Sequence, residues 1–393
     1  MSNKRNVGQQ KNPDNSEVSG SSTDNEKKTI KRTRHIPSVT DKSWDSFNAI
    51  RIKHKETWQE VFERLYDYQD FVEHLFVLPK EVNRSSKMNA ATVQFYLPWW
   101  LSNMYRNFMK EHVDNLPDIK QIQKTVKDGT PALVIGAGPS LWKYNHLKML
   151  AESDFYKNKR GIILATSHTL IPCLEEGIVP DYMLIIDAED IMMEHFNNDI
   201  IDKYSNRITG IFAAHVDPDV LKRWKGEKLF FLPAIPDITI PNVQGVISGF
   251  FPKLTEFNAG AHVGAFGWHI AQFMGCNPIA MIGLDCGFLP DQPIDQTPYY
   301  PVFRPYYTTE QEMIDKCYHF HTHSFFKNNS FTDDVHYSFM EICINMAKSG
   351  NTIGVKTHNC TGGGFIDTPD VIENMHLEDW LSKFKSTTPE VVW

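Results

Sequence analysis

Residues 132–141 read ALVIGAGPSL, a short apolar run that leads into a turn rich in glycine. An apolar run of this length is typical of a strand that is covered on both faces of a parallel sheet. Glycine permits a sharp turn with exposed backbone N–H groups, and Ser140 can cap the helix that follows. The segment therefore predicts a strand, a loop suited to an anion at a helix N-terminus, and a helix.

The same pattern recurs along the rest of the chain, where apolar runs alternate with helical stretches and end in polar or glycine-rich turns. The further runs are GIILAT (161–166), DYMLIID (181–187), TGIFAAH (209–215), KLFFLP (228–233), PIAMIGLD (278–285) and TIGVKTHN (352–359). Strands separated by helices predict an α/β fold with a Rossmann-like, mostly parallel sheet and helices on both faces. Ligands of such folds bind at the carboxyl ends of the strands, so site residues are expected there.

The N-terminal third of the chain has a different character. Residues 1–42 are polar and almost free of large apolar side chains, which predicts a disordered tail. Residues 43–128 are predicted to form a helical lead-in that packs on the main domain, with one amphipathic helix starting near Glu56. A second helix is predicted over about residues 89–112, where Pro98 breaks or kinks it.

The main domain is predicted to span residues 129–386. Within it, residues 289–334 form a polar and aromatic insertion, interpreted as a lid or an acceptor-binding loop. In this insertion His319, His321 and His323 alternate, so on a strand they would share one face and could bind zinc. Neither an H-E-x-x-H pattern nor a nearby cysteine pair supports that zinc site, and the lid or acceptor loop is the favoured interpretation.

Composition excludes several classes of function. The 393-residue chain carries 40 Lys and Arg against 48 Asp and Glu, a formal net charge of −8, which disfavours nucleic acid as a partner. No apolar run reaches the roughly 18 residues of a transmembrane helix. The aromatic stretch VQFYLPWWL (93–101) is interpreted as buried rather than as a membrane-interface segment. Six cysteines without a C-x-x-C pair suggest neither a zinc knuckle nor a disulfide framework, and a cytoplasmic location is expected.

The loop after the first strand is the first candidate site. A dinucleotide fingerprint would need a small residue in place of Leu141 and an acidic residue in place of Thr166 or Ser167. NAD and flavin are therefore not expected as cofactors, and without a G-K-[ST] sequence the loop is not a P-loop. A tight turn without a ligand is the alternative. The residues expected to lie against a phosphate in this loop are Gly136, Gly138, Pro139 and Ser140.

Acidic residues follow the strand DYMLIID. Asp187 and Glu189 on one turn could hold Mg²⁺ against a nucleotide diphosphate, and Asp187, the last residue of its apolar run, is the principal catalytic candidate. The alternative for Glu189 is that it faces water or caps the next helix.

Two further segments complete the predicted site. NAGAHVG (258–264) opens a helix of small residues whose first turn could approach a ligand, so Asn258 and His262 are expected to flank the pocket as catalytic candidates. A structural hydrogen bond is the alternative for His262. NCTGGG (359–364) follows the last strand, and its glycines would leave backbone donors for a ligand oxygen, while Thr368 is predicted to cap the C-terminal helix. The other strand-end residues expected near the nucleotide are Thr166, Ser167, Asp285, Asn359, Thr361, Gly362, Gly363 and Gly364.

Four motifs in this order resemble the MptE-like family over roughly residues 85–380: VIGAGPSL, GIVPDYMLIIDAED, NAGAHVGAF with MIGLDCGF, and NCTGGGFI. The family contains archaeal 6-hydroxymethyl-7,8-dihydropterin diphosphokinases and the motility accessory factor (Maf) glycosyltransferases, which are similar in fold to CMP-sialic acid transferases. The resemblance implies that the loop of Gly136 to Ser140 lies against the nucleotide. It also implies that Asp187 lies near the phosphates or a metal, and Thr361 to Gly364 near the transferred group.

The resemblance implies a nucleotide-using transferase. The helical lead-in and the NCTGGG ending favour a glycosyltransferase that uses a nucleotide-activated sugar of the CMP type, with a protein or glycan acceptor. The alternative is an ATP-dependent 6-hydroxymethyl-7,8-dihydropterin diphosphokinase, with Mg²⁺ and a pterin acceptor. A nucleotide-binding scaffold without catalytic activity is the second alternative.

Overall fold

The computed structural model describes residues 84–108, 116–234, 243–260 and 262–384. The predicted tail and the predicted helix near Glu56 lie outside these residues. The helices are α1 Arg84–Phe108, α2 Ser140–Lys143, α3 His146–Glu152, α4 Asp154–Lys157, α5 Ser167–Glu175, α6 Asp199–Tyr204, α7 Pro218–Arg223, α8 Val243–Phe250, α9 Val263–Met274, α10 Tyr300–Phe303, α11 Glu310–Cys317, α12 Asp334–Thr352 and α13 Leu377–Ser382. The strands are β1 Ala132–Ile135, β2 Ile162–Thr166, β3 Tyr182–Ile185, β4 Thr209–Ala213, β5 Lys228–Pro233, β6 Glu256–Phe257, β7 Ile279–Ile282, β8 Tyr318–Thr322, β9 Asn329–Asp333, β10 Thr357–Asn359 and β11 Glu373–Asn374.

In the described part of the chain, nine strands form one sheet in the order β11-β10-β7-β1-β2-β3-β4-β5-β6. Every neighbouring pair is parallel. The predicted α/β fold with a mostly parallel sheet is confirmed. The chain moves outward from β1 to β6 and then returns to the other side of β1, where Ala132 pairs with Ile162 on one side and Ile279 on the other. The strand order therefore reverses between β1 and β7, which is where ligands of such sheets bind.

Both faces of the sheet are covered, as the fully apolar strands predict. On one face α9 packs so closely that a side chain on Gly267 would come within 2.6 Å of Val134. On the other face Trp380 of α13 is fully buried and lies 5.1 Å from the ring of Phe155. The small residues of α9 thus allow the close helix packing that the sequence predicted.

The longest element in the described part of the lead-in is α1, which contains Pro98, and Ile119–Ile122 form a short 3-10 helix after it. The amide of Asn103 donates to the carbonyl oxygens of Ala188 (2.8 Å) and His215 (3.0 Å), which lie after β3 and β4. Leu97 is 1% exposed, and the half-buried Trp100 stacks on His215 with 4.5 Å between the ring centroids, so this part of the aromatic stretch packs on the domain. None of the helices in the described residues is long and apolar enough to cross a membrane.

The seven apolar runs each contain a strand, but some elements differ from the prediction. The two-residue strands β6 and β11 are too short to show a periodic pattern, and the β8–β9 hairpin lies in the insertion. The C-terminal helix begins at Leu377 rather than after Thr368. The carbonyl of Thr368 instead accepts hydrogen bonds from Val371 and Ile372, which forms a turn that leads into β11.

Candidate active site

A narrow cleft, whose volume of about 10 Å³ has room for about one water molecule, lies where the strand order reverses. Its walls come from the loops that follow β1, β7 and β10, together with the start and the hairpin of the insertion. Three segments far apart in sequence, each predicted to be part of the site, therefore meet at one place. The cleft is lined by Pro139, Ser140, Tyr144, Asp285, Phe288, Leu289, Asn328, Asn329, Ser330, Gly363 and Gly364.

Asp285 occupies the space beside the glycine-rich loop. Its Oδ2 accepts hydrogen bonds from the Ser140 hydroxyl (2.7 Å) and the Ser140 backbone N–H (3.4 Å). A side chain on Gly138 would lie 2.1 Å from the same oxygen, so glycine at this position makes room for the carboxylate. The loop was expected to hold its donors open for a phosphate, and in this structure the donors of Ser140 bind an internal anion instead.

The environment of Asp285 combines burial with one nearby cation. Burial raises the pKa of Asp285 to about 7, while the hydrogen bonds from Ser140 and the charge of Lys143 oppose the rise. Lys143 is exposed at the end of α2, and its Nζ lies 5.5 Å from the centre of the ring of Tyr144, which lines the cleft. Sequence reasoning missed Lys143, although its position three residues after Ser140 places both on one side of a helical turn.

The turn after β10 is held rigidly by Asn359 and Thr361. The amide of Asn359 donates to Ile366 O (2.9 Å) and Asn374 Oδ1 (3.0 Å), while its oxygen accepts from the Thr361 hydroxyl (2.8 Å). Thr361 Oγ1 in turn accepts from the Gly363 N–H (3.3 Å), so this backbone donor is already used within the turn. Asn359 and Thr361 thus shape the glycine turn and are themselves fully buried.

Asn328 of the insertion reaches across the cleft, and no sequence pattern indicated it. Its amide donates to the Tyr144 hydroxyl (2.9 Å) and to the carbonyl of Gly362. A side chain on Gly363 would collide with this amide, and one on Gly362, whose φ is +79°, would collide with the Tyr144 ring. Glycine at positions 362 and 363 therefore leaves the space that the side chains of Tyr144 and Asn328 occupy in the cleft wall.

Asp187 and Glu189 lie together at the end of β3. Burial, and then the charge of Glu189, raise the pKa of Asp187 to about 7, and nearby His262 opposes the rise. Glu189 is hydrogen-bonded to Tyr96 of α1, whose pKa rises to about 12, chiefly through burial. Neighbouring strands are about 4.8 Å apart, so β3, two strands from β1, ends roughly 10 Å from the glycine-rich loop. A ligand of nucleotide size can contact both.

No group of three or more His, Cys, Asp or Glu side chains suited to a metal occurs within the described residues. Mg²⁺ commonly takes only one or two protein carboxylates and completes its shell with phosphate oxygens and water. The pair Asp187 and Glu189 fits that requirement, and it is where a magnesium ion brought by a nucleotide would be held.

His262 has both ring nitrogens engaged. Nδ1 accepts from the Ala265 N–H (3.3 Å) and so caps α9, while Nε2 lies 3.4 Å from the sulfur of buried Cys343. Cys343 also has a hydrogen bond with Cys286, which together with His262 lowers the pKa of Cys343. His262 is close to Asp187 in space, but the structural hydrogen bond that the sequence left open is present.

The remaining predicted residues do not line the cleft. Asn258 is exposed, and its side chain closes its own turn by accepting from the Gly260 N–H (2.9 Å). Thr166 ends β2 and Ser167 begins α5, and each is 1% exposed. Thr166 Oγ1 lies 3.1 Å from Thr169 Oγ1, so it takes part in the first turn of α5.

Two of the three histidines of the insertion share a partner, since His323 Nδ1 also lies 3.5 Å from Asp367, the partner of His321. His319 Nε2 lies 2.9 Å from Asp334, and His321 Nε2 lies 3.0 Å from Asp367. His323 is fully buried, and its Nε2 lies 3.1 Å from the Ile366 carbonyl. His319 has a different carboxylate as its partner, and no group of three or more side chains suited to a metal ion occurs among the described residues.

Residues 102–291 match the family model described as 6-hydroxymethylpterin diphosphokinase MptE-like, which confirms the resemblance to the MptE-like family. No curated protein sequence matches the chain. Among solved structures, the MAf glycosyltransferase from Magnetospirillum magneticum AMB-1 is similar with 15% sequence identity and a TM-score of 0.45, over 75% of this chain and 44% of that one. This chain therefore spans less than half the length of that protein. The family match supports a transferase of this family.

Proposed function

We propose, on the premise that residues 102–291 match the MptE-like family, that the chain is a nucleotide-using transferase with a CMP-type sugar as donor. One observation carries this proposal. The Ser140–Asp285 contact brings the predicted nucleotide loop of β1 against the end of β7, at the reversal of strand order and beside the glycine turn of β10. A donor bound there would lie at the position where parallel sheets bind nucleotides.

The cleft also has the chemistry that a phosphate leaving group requires. Lys143 can neutralise charge that develops on the phosphate, and Ser140 can donate to a phosphate oxygen when the Asp285 carboxylate moves aside or is protonated. Asp187 and Glu189 would hold Mg²⁺ if the donor requires it. The metal would then neutralise phosphate charge, while the residues of the cleft orient the donor.

The family description itself favours a second candidate, ATP-dependent pyrophosphoryl transfer to 6-hydroxymethyl-7,8-dihydropterin. The insertion is the reason for preferring a sugar donor. Its hairpin and Asn328 build one wall of the cleft, as an acceptor loop for a protein or glycan would. The third candidate is a nucleotide-binding scaffold without catalytic activity. Such a protein would bind the donor nucleotide but would not convert it.

Thermal-shift measurements distinguish these candidates, because a ligand that binds only the folded state raises the melting temperature. The purified chain is tested against CMP, CDP, UDP, GDP, ATP and the pterin. We expect the largest shift with a cytidine nucleotide. We also expect the shift to shrink in Lys143→Ala but not in Lys148→Ala, which removes an exposed lysine of α3. AMP formation from ATP and the pterin, without a shift by any cytidine nucleotide, would contradict the sugar donor.

A further inference from the structure

A histidine paired with a carboxylate lies just past the end of the insertion. Nδ1 of His336, in the first turn of α12, lies 3.0 Å from Oδ1 of Asp333, the last residue of β9. The side chain of His336 is 22% exposed, whereas that of Asp333 is fully buried. The pair therefore joins an accessible imidazole to a carboxylate shielded from water.

The carboxylate of Asp333 fixes the orientation of the His336 ring. Its Oδ1 also accepts the backbone N–H groups of Val335 (3.0 Å) and His336 (2.8 Å), so Asp333 caps α12 and is held in place. Because this oxygen accepts the proton on Nδ1, the lone pair of neutral His336 is on Nε2. The described residues provide no hydrogen-bond partner for Nε2, so its lone pair is available to a ligand.

The second oxygen of Asp333 leaves part of the carboxylate charge uncompensated. Oδ2 is buried and has no hydrogen-bond partner within the residues that the structure describes. A buried carboxylate with an unsatisfied oxygen is costly unless a positive charge forms beside it. An imidazolium at His336 would supply that charge, since its Nδ1 lies 3.0 Å from Oδ1. Asp333 is therefore placed to stabilise a proton that Nε2 takes up.

His336 lies close both to the cleft and to the acidic residues at the end of β3. Its ring is 4.8 Å from the ring of Phe288, which lines the cleft, and 5.7 Å from the ring of Tyr299. Burial raises the pKa of Tyr299, and the charges of three nearby carboxylates add to the rise. These carboxylates belong to Asp333, Asp187 and Glu189. Tyr299 thus connects the surroundings of His336 with the residues proposed to hold Mg²⁺.

A second set of contacts leads from His336 to the same acidic residues. The ring of Phe339 is 5.6 Å from that of His336 and 4.8 Å from that of His262. His262 in turn is close enough to Asp187 to oppose the rise in the pKa of that carboxyl. His336, Tyr299, His262 and Asp187 are each only partly buried, so a ligand can reach them.

Two other histidines of this region pair with a carboxylate but lie elsewhere. His319 Nε2 lies 2.9 Å from Asp334, and His321 Nε2 lies 3.0 Å from Asp367. Among the described residues, neither ring contacts an aromatic residue that lines the cleft. Only the pair of His336 combines a free ring nitrogen with contacts to the cleft wall and to a neighbour of the acidic residues.

We infer that His336 is the general base that takes the proton of the acceptor hydroxyl, an inference that rests on the proposed transferase function. Nε2 of His336 removes this proton as the acceptor oxygen bonds to the anomeric carbon of the donor. The bond from that carbon to the phosphate oxygen breaks, and the nucleotide leaves with the electron pair. Asp333 stabilises the imidazolium until the proton passes to solvent.

Azide provides a test that needs no knowledge of the natural acceptor, because it is a nucleophile without a proton to remove. The full chain is supplied with CMP-N-acetylneuraminic acid as donor and with water or sodium azide as acceptor. We expect His336→Ala to lower CMP release in water by about 100-fold or more. We expect azide to restore release to within about tenfold of the wild type and to form the glycosyl azide. His319→Ala removes the other histidine that pairs with a carboxylate next to α12, and it should retain the wild-type rate in water.

Binding measurements separate a catalytic role of His336 from a structural one. His336→Ala must show the wild-type thermal shift with CMP, because the loss of its contact with Phe288 could otherwise disturb the cleft. Water rates within about twofold of the wild type, or no azide effect on a variant that binds CMP normally, would overturn the assignment of His336. Failure of the wild-type chain to turn over the donor would instead contradict the proposed function, so the two failures are distinguishable.

Discussion

The hydroxyl of Ser140 donates a 2.7 Å hydrogen bond to the carboxylate of Asp285, across 145 residues of sequence. Each residue follows a strand at the reversal of strand order, so the bond ties together the loops of β1 and β7. Because the carboxylate occupies the position expected for a phosphate, donor binding must compete with an internal anion. The strength of that competition depends on the protonation of Asp285.

Asp285→Asn should stabilise the protein increasingly as pH rises. Burial raises the folded-state pKa of Asp285 from 3.8 to about 7, so the folded state holds this proton more tightly than the unfolded state. The resulting stability is present below the unfolded pKa and is lost as pH rises through about 7. The difference in melting temperature between variant and wild type should therefore grow between about pH 4.5 and about pH 8. A constant difference would show that the carboxylate is not desolvated.

Gly138→Ala should weaken nucleotide binding and lower stability by about 1 to 3 kcal/mol, because the new methyl group would overlap the Asp285 carboxylate. Gly249→Ala is the matched control, since a side chain at this position of α8 meets no atom within 4 Å. Thermal melts with and without CMP and ATP measure both effects. Equal behaviour of the two variants would show that the loop has room for a side chain.

Asp187→Asn should lower turnover by about 100-fold or more while changing stability much less, because a ligand charge is lost and the side-chain volume is kept. Asp199→Asn makes the same change at an exposed position at the start of α6 and should be silent. Turnover is measured with and without EDTA. Activity that survives both EDTA and Asp187→Asn would mean that the acids are structural and the transfer needs no metal.

Asn103→Ala should lower the free energy of unfolding by about 2 kcal/mol, since it leaves two buried carbonyl groups without a donor. Asn158→Ala removes an exposed amide that bonds only to Asp154, and it should have little effect. Chemical denaturation of both variants measures the difference. Equal stabilities would show that α1 contributes little to the domain.

The strands were predictable because a buried parallel strand leaves a local signal, namely a fully apolar run bounded by turns. The seven predicted runs contain β1 to β5, β7 and β10. No such signal exists for the two residues of β6 or of β11, which are defined only by their neighbours. The C-terminal helix was placed too early because Thr368 and the residues after it have cap-like composition, and the pairing of β11 with β10 overrides that preference.

Many individual residues of the candidate site could be predicted from the sequence, but the contacts between them could not. The glycines at 136 and 138 indicated that another group lies close to the backbone of this loop. The sequence alone does not show whether that group is a ligand phosphate or the carboxylate of Asp285. That answer depends on β7 lying beside β1, which is a property of strand order. The pairing of His321 with Asp367 spans 46 residues and likewise has no local pattern. Asn328 belongs to the insertion, where no helical or strand periodicity of apolar residues indicated the fold. Its position at the cleft therefore could not be predicted.

The strand β1 lies inside the sheet between β2 and β7, so its two edges are covered at different times during synthesis of the chain. While the ribosome is making residues 167–278, a nascent chain can pair β1 with β2 but cannot yet cover the other edge of β1. An uncovered edge on a wholly apolar strand invites pairing with another chain, so this is the interval in which aggregation is most dangerous. Stalled chains that end before β7 should therefore be digested by protease and bound by chaperones far more readily than chains that extend past it.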